Sequence, residues 1–336
     1  MESDISREFL SQGSVCVTGG SGFVGSHLVE ALCRQNLRVR VLMRKTSSRA
    51  HLPREVEIIE GDLHDHAALT RAVAGVTTVF HLAAVTRARS TPEYFQANAE
   101  GTQRLITAMC AAQPRPRRLV YLSSLAAAGP ALPGKPVQLA DSPCPITAYG
   151  RSKLAGEAFC QQSTQDFEVV MLRAPAVYGP RDRDLFLCFA LAMRGVMLVP
   201  QGPDRFLQFI HVSDLVDALR LAATAPRASG VYHVAEAQPY TLGEFARWLA
   251  HAVGRRVRAI RIPAWGMRMA ATASEFGAKT IGRATIFNRE KAREILASGW
   301  LCETDAAKQD LGFEGQISLP IGLTSTAAWY RDQGWL

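Results

Sequence analysis

Short apolar runs alternate along the first half of the chain with stretches whose apolar residues fall three and four apart. SVCVT at Ser14–Thr18 leads through a glycine-rich turn into SHLVEALCRQN. RVRVLM at Arg38–Met43, residues 56–60, TVFHL at 78–82, and residues 118–122 and 168–172 are further runs of strand length. Helical spacing returns in NAEGTQRLITAMCAA from Asn98 and in YGRSKLAGEAF from Tyr149. Five or six strand–helix units in a row predict an α/β fold with a doubly wound parallel sheet of the Rossmann type.

After Gly179 the alternation weakens. DLFLCFALAMRG reads as an amphipathic helix, FIHVSDLVDALRLAA as a short strand entering a helix, and GVYHVAE as another strand. Thr241-Leu242-Gly243-Glu244 has capping-box spacing for a helix ending near Gly254. Residues 255–336 read as helices and loops with a tryptophan-rich end at Trp300, Trp329 and Trp335. The expected organisation is a dinucleotide-binding part over 1–178, rejoined by 208–235. Residues 179–207 and 236–336 then form a smaller, discontinuous substrate lobe that closes over the ligand.

Composition narrows the class. A chain of 336 residues, 48% hydrophobic and 20% charged, buries a substantial core and looks like an ordinary soluble protein. No apolar run approaches the roughly 18 residues of a membrane span. The opening MESDISREFLSQGS is polar and acidic, without the apolar core of a signal peptide, and reads as a short disordered lead-in. The net charge of +8 is spread over RARS, QPRPRR and GRRVRAIR rather than gathered in a basic tail, so a solvated basic surface is expected and nucleic acid is not. Seven cysteines (Cys16, Cys33, Cys110, Cys144, Cys160, Cys188, Cys302) are scattered and odd in number, with no C-x-x-C pair. That usage fits reduced thiols and a cytoplasmic location. His64 and His66 beside Asp62 and Asp65 have the residue types of a metal cluster. The same pattern fits a strand end followed by a helix start, and no metal is expected.

The candidate chemistry sits at the ends of the strands. Gly19, Gly22 and Gly25 form G-x-x-G-x-x-G between the first strand and the first helix. Glycine there permits a tight turn and close approach of backbone to a pyrophosphate, which the helix N-terminus faces. Gly19, Gly22, Phe23, Val24 and Gly25 are therefore candidate cofactor contacts. At the end of the second strand, where an acidic residue would hold the adenosine ribose hydroxyls of NAD, the chain has Met43, Arg44 and Lys45. Arginine there binds a 2′-phosphate and stacks on adenine, which favours NADP, with NAD possible. A solvated loop charge would leave that preference open. Asp62, followed by Leu63, is placed to accept from the adenine amino group. Leu82, Ala83 and Ala84 are small enough for a cofactor to lie along the backbone. Asn98 reads equally as an N-cap or as a structural residue beside the site. Ser123 and Ser124 end a central strand, on the sheet edge where ligands bind in such folds. Tyr149 and Lys153, four apart on a helix, share a face. An adjacent ammonium is expected to lower the phenol pKa from near 10 and make Tyr149 a general acid/base.

Together these residues resemble the extended short-chain dehydrogenase/reductase superfamily of the NAD-dependent epimerase/dehydratase type. The matches are TGGSGFVG at 18–25, GDL at 61–63, HLAA at 81–84, NAEGT at 98–102, YLSS at 121–124, YGRSK at 149–153, PAVYGP at 175–180 and FIHVSD at 209–214. VLMRKTSS and SSLAAAGP look most like the branch of dihydroflavonol reductases and 3β-hydroxysteroid dehydrogenases. The resemblance implies that Tyr149 moves a proton to or from the substrate oxygen. It implies that Lys153 tunes Tyr149 and holds the nicotinamide ribose, and that Ser124, with Ser123 as the alternative, hydrogen-bonds the same oxygen. Pro175 and Val177 would meet the nicotinamide amide through backbone.

Departures from the superfamily pattern narrow the substrate. Nucleotide-sugar enzymes of this type carry an asparagine where Ala176 stands and an arginine where Leu207 stands, and sugar dehydratases carry Asp-Glu where Leu125 and Ala126 stand. A weakly charged steroid-like, aliphatic or phenolic ketone or alcohol is expected, with Arg181, Arg183 and Arg205 read as surface charges and recognition of an anionic substrate as their other reading. A nucleotide-sugar epimerase using NAD and a non-catalytic cofactor-binding subunit are the alternatives. The partly apolar, basic segment 263–283 reads as a lid helix, with contact to a membrane or an apolar substrate as its other reading. The superfamily resemblance also implies a homodimer through the helices after Asn98 and Tyr149.

Overall fold

The computed structural model describes residues 13–280, 285 and 287–336. The N-terminal lead-in and the far end of the 263–283 segment lie outside them. The chain runs β1 (Ser14–Thr18), α1 (Phe23–Arg34), β2 (Arg38–Met43), β3 (Glu57–Glu60), α2 (His66–Val73), β4 (Val76–His81) and α3 (Thr91–Phe95). A π-helical turn at Gln96–Glu100 passes directly into α4 (Gly101–Ala111). Then come β5 (Arg118–Ser124), α5 (Leu125–Ala128), α6 (Ala148–Gln162), β6 (Glu168–Ala174), β7 (Ala176–Tyr178), α7 (Phe186–Met193), β8 (Val196–Pro200), β9 (Phe206–Leu207) and β10 (Phe209–His211). The rest is α8 (Val212–Thr224), β11 (Gly230–His233), β12 (Tyr240–Thr241), α9 (Leu242–Val253), β13 (Arg258–Ile262), α10 (Ala264–Thr280), α11 (Arg289–Ile295), β14 (Gly299–Trp300) and α12 (Leu319–Asp332).

Seven strands form one parallel sheet in the order β11-β6-β5-β4-β1-β2-β3. The direction of winding reverses between β1 and β4, and the ends of these strands form the crevice where such sheets take ligands. One apolar core, including Val17, Leu28, Phe80, Val170 and Leu219, packs α1 and α8 on one face. A second, including Leu69, Leu105, Tyr121 and Met171, packs α2, α4 and α6 on the other. A fully buried Leu or Phe contributes about 1.5–3 kcal/mol, so these layers hold the strand ends rigidly.

A third core joins α7, α9 and α12 through Phe189, Phe245, Leu249, Leu323 and Tyr330. Three buried polar side chains fasten the C-terminal segment beneath it. Asp214 accepts from the backbone of Gln316 (3.1 Å) and Ile317 (2.9 Å), Glu236 accepts from Leu319 N (3.0 Å), and Tyr330 donates to Asp182 O (2.6 Å). The capping box of α9 forms as its spacing predicts, and the helix ends at left-handed Gly254.

The structure differs from the sequence pattern in two places. Asn98 does not cap a helix. The helical run begins at Thr91, and Asn98 lies within the π-helical turn. Residues 255–336 also contain strands, because β13 pairs in parallel with β8 and β14 with β9.

Candidate active site

The turn after β1 depends on Gly19. Its φ is +74°, and a Cβ there would stand 2.6 Å from Ala83 N, inside the chain following β4. Any side chain would therefore fill the crevice between β1 and β4, and the residues present fit an extended dinucleotide backbone lying across it. Gly22 is the N-cap of α1, with Phe23, Val24 and Gly25 in its first turn, so the free N–H groups of the helix face the crevice. Leu82 and Ala83 are half-buried and Ala84 is exposed along the opposite wall. Arg44 and Lys45 are exposed beyond β2 and make no ion pair among the described residues, whereas nearby Arg49 pairs with Glu60 at 2.9 Å. Asp62 accepts from His64 N (2.8 Å) and Asp65 caps α2 through Ala68 N (2.9 Å). Leu63 packs under Gly101. Pro175 and Val177 flank exposed Ala176 at the start of β7.

Ser124 and Tyr149 come together at the end of the sheet. Ser124 caps α5, accepting from Ala126 N (3.2 Å), and its hydroxyl stands near the Tyr149 phenol, where it favours phenolate. Thr147 caps α6 and accepts from Gly150 N (3.1 Å), which aims the first turn of that helix at β5. Gly150 packs so closely on Ala126 O that no Cβ fits. Lys153 is buried one turn later. Its ammonium donates to Leu122 O (2.7 Å) and stands 4.1 Å from the centre of the Tyr121 ring.

Ser123, the alternative to Ser124, is committed elsewhere. It donates to Glu157, which also accepts from Arg173 Nε (3.0 Å) and Nη2 (2.7 Å). The Arg173–Glu157 pair is buried from solvent. Neither residue was among the candidates. The available signal was spacing, since Tyr149, Lys153 and Glu157 stand at i, i+4 and i+8 on α6. Ser124→Ala is accordingly expected to lower kcat about 100-fold, as loss of one oxyanion donor does. Ser123→Ala should instead remove about 1–3 kcal/mol of stability with kcat near wild type. Steady-state kinetics and urea unfolding of both variants separate the two roles.

The electrostatics correct the expected tuning of Tyr149. Its pKa is pushed up to about 12, because burial outweighs the effect of the Ser124 hydroxyl, and Glu294 and Tyr94 push the same way as burial. Lys153 does not offset this, since its ammonium is turned to Leu122 O and the Tyr121 ring. Burial lowers the Lys153 pKa to about 8, while Glu157 holds it up.

One hydrogen-bonded line links the glycine turn to the tyrosine. Ala83 N donates to Thr18 Oγ1 (3.3 Å), and Thr18 donates to His81 Nδ1 (2.6 Å). His81 Nε2 donates to Thr102 (2.9 Å), and Thr102 donates to Asn98 O (2.7 Å). Asn98 Nδ2 donates to Ser152 (2.9 Å), and Ser152 donates to Tyr149 O (2.7 Å). Burial holds His81 neutral, with its pKa lowered to about 3, so the line carries no charge. Asn98 also exchanges two hydrogen bonds with the Val85 backbone (2.7 and 3.0 Å), which fixes the chain after β4.

The family is decided by a match over residues 15–236 to the description "NAD dependent epimerase/dehydratase family". The chain belongs to that family. Within it, the chain is 31% identical over 329 residues to a ceramide reductase of Caulobacter vibrioides, covering 97% of each chain. It is 28% identical to a 3-beta-hydroxysteroid dehydrogenase of Mycolicibacterium neoaurum, over 95% of this chain and 92% of that one. Among solved structures it resembles MoeE5 in complex with UDP-glucose and NAD, with a TM-score of 0.75, 29% identity, and coverage of 96% and 99%. The epimerase/dehydratase family thus includes relatives named for reductions or dehydrogenations and a structural neighbour that holds NAD.

The arginines expected to be surface charges are mostly engaged. Arg181 donates to Glu30 (2.6 Å) and Ser26 (3.1 Å) of α1. Arg183 lies 5.5 Å from the Trp335 ring, and Arg205 donates to Ala297 O (3.1 Å). His27 Nε2 donates to Pro180 O (2.9 Å), so the first helix and the chain after β7 are tied together at two points.

Proposed function

We propose that the protein is an NADP-dependent oxidoreductase that interconverts a secondary alcohol and a ketone on an apolar, weakly charged substrate. The observation that carries this reading is the convergence of Ser124, at the end of β5, and buried Tyr149 at the sheet edge, with Lys153 one turn along the same helix. Bound along the β1–β4 crevice, a nicotinamide dinucleotide supplies or accepts the hydride. Tyr149 donates its phenolic proton to the carbonyl oxygen in reduction and takes it back in oxidation. Ser124 donates to the same oxygen as negative charge develops there. Lys153 would hold the nicotinamide ribose. Residues 1–178 with 208–235 carry the cofactor, and 179–207 with 236–336 form the substrate lobe. A homodimer through α4 and α6 accompanies this reading.

Two lines support an apolar substrate over a nucleotide sugar. Arg181, Arg183 and Arg205 are directed at Glu30, Trp335 and a backbone carbonyl rather than left free for a diphosphate. Ceramide and 3-beta-hydroxysteroids, the lipids in two relatives' names, share a large apolar body. Reduction of long-chain or steroidal ketones with NADPH tests the reading. Absence of turnover, combined with tightly held NAD in the purified protein, would replace it with the epimerase alternative.

The preference for NADP rests on Arg44 and Lys45, exposed and without an ion pair among the described residues. Arg44→Asp is expected to shift the NADP:NAD ratio of kcat/KM about 10- to 100-fold toward NAD, the worth of one or two charge-assisted contacts to a 2′-phosphate. An unchanged ratio would remove Arg44 from the adenosine site.

A further inference from the structure

β13 and α10 present an apolar face to solvent. On α10, Trp265, Met269 and Phe276 are 68%, 66% and 71% exposed. At 3.6 residues per turn they fall within about 40° of one another. The opposite side of the helix buries Met267 and Ala271, so this outward apolar row is additional to the one that packs α10 on the protein. Ile260 of β13, just before α10 in sequence, and its register partner Leu198 of β8 are also both exposed. An isolated exposed apolar residue means little, but three large ones in a row on one helix face mark a contact surface.

The charge around this face identifies the partner. Residues 255–277 contain Arg255, Arg256, Arg258, Arg261 and Arg268, all exposed, and a single acid, Glu275. Glu275 is engaged by Arg289 (3.0 Å), while none of those five arginines makes an ion pair among the described residues. Exposed tryptophan and phenylalanine flanked by unpaired arginines match the interface of an anionic bilayer. There aromatic rings sit at headgroup depth, and arginines reach phosphates while their stems lie on apolar surface. A second copy of the chain would bring its own arginines against these and repel.

We propose that α10 and the β8–β13 ribbon dock the protein on an anionic lipid surface, with Trp265, Met269 and Phe276 inserted and Arg258, Arg261 and Arg268 at the headgroups. The location suits access to the active site. α10 packs on α11, whose Glu290 accepts from Ala148 N (2.7 Å) beside Tyr149. A docked α10 thus stands one helix away from the segment that carries Tyr149. Delivery of an apolar substrate by this route rests on the oxidoreductase reading, whereas docking itself does not.

The test is sedimentation of the full chain with vesicles rich in phosphatidylglycerol and with pure phosphatidylcholine vesicles. Binding is expected to the anionic vesicles and to weaken as salt rises. The double variant Trp265→Ser, Phe276→Ser and the triple variant Arg258→Glu, Arg261→Glu, Arg268→Glu should each bind at least about tenfold more weakly, with unchanged thermal melting. Tyr149→Phe should bind as wild type does, which separates docking from catalysis. Failure to bind anionic vesicles, or equal binding by the variants, overturns the proposal. So does an oligomer that the Trp265→Ser, Phe276→Ser variant dissociates, because the face would then belong to a second copy.

Discussion

Tyr149→Phe is expected to lower kcat for ketone reduction about 10²- to 10⁴-fold, the range for loss of a positioned general acid. The substitution removes one hydroxyl and keeps a ring that lies 6.2 Å from the Tyr94 ring, so α6 should keep its place. Cofactor affinity should stay close to wild type, because the glycine turn and Lys153 are untouched. The pH dependence adds a second check. In reduction Tyr149 must carry its proton, and with a pKa near 12 it does so throughout the working range. Lys153 loses its charge first, as pH rises through about 8. The alkaline fall in kcat/KM should therefore lie near 8 and move upward in Lys153→Arg, since guanidinium stays charged. A Tyr149→Phe enzyme that keeps kcat within tenfold of wild type would end the proposed mechanism.

What was legible in the chain was local. The glycine turn, the tyrosine–lysine spacing and the capping box are each complete within a few residues, and the backbone geometry they require follows from residue type alone. The order of β1 to β6 was equally legible, because each strand is a compact apolar run; the strand limits moved by only a few residues, as with β4 at Val76–His81 against 78–82. The β13–β8 and β14–β9 pairs were not legible. Arg258–Ile262 is a basic run without a buried face, and it becomes a strand only because β8 lies beside it. The same limit applies to charges. Arg181 looked like a surface residue until the fold brought Glu30, 151 positions away in sequence, within reach.

The site shows how burial changes the sign of an expectation. From spacing alone, Lys153 lowers the pKa of Tyr149. In the folded chain the lysine is itself desolvated and turned toward Leu122 O, so each group is shifted against its charged form. A bound oxidised nicotinamide would bring positive charge to the site and favour the phenolate of Tyr149. The line from Thr18 through His81, Thr102, Asn98 and Ser152 then acquires a purpose: it fixes the crevice and the tyrosine to one another through uncharged groups. Its members come from β1, β4, the π-helical turn, α4 and α6, which no periodicity links.

Arg173→Ala should be among the most destabilising single changes in the protein, at about 3–5 kcal/mol, because it strands the buried carboxylate of Glu157 without its counter-ion. Replacing both partners with apolar residues, Arg173→Met with Glu157→Leu, should recover much of that loss, since two desolvation costs vanish together. Urea unfolding measures both, and equal loss in the single and double variants would show that packing rather than charge holds this site. In the proposed mechanism the pair should also act on catalysis through Lys153, whose ammonium Glu157 favours. Glu157→Gln removes that negative charge and should move the alkaline fall in kcat/KM below 8. In Arg173→Ala any ionised Glu157 is uncompensated and should move it above 8. Opposite displacements assign Glu157 the role of positioning the charge on Lys153. Coincident profiles would confine the pair to holding β6 against α6, because a purely structural loss lowers activity without moving its pH dependence.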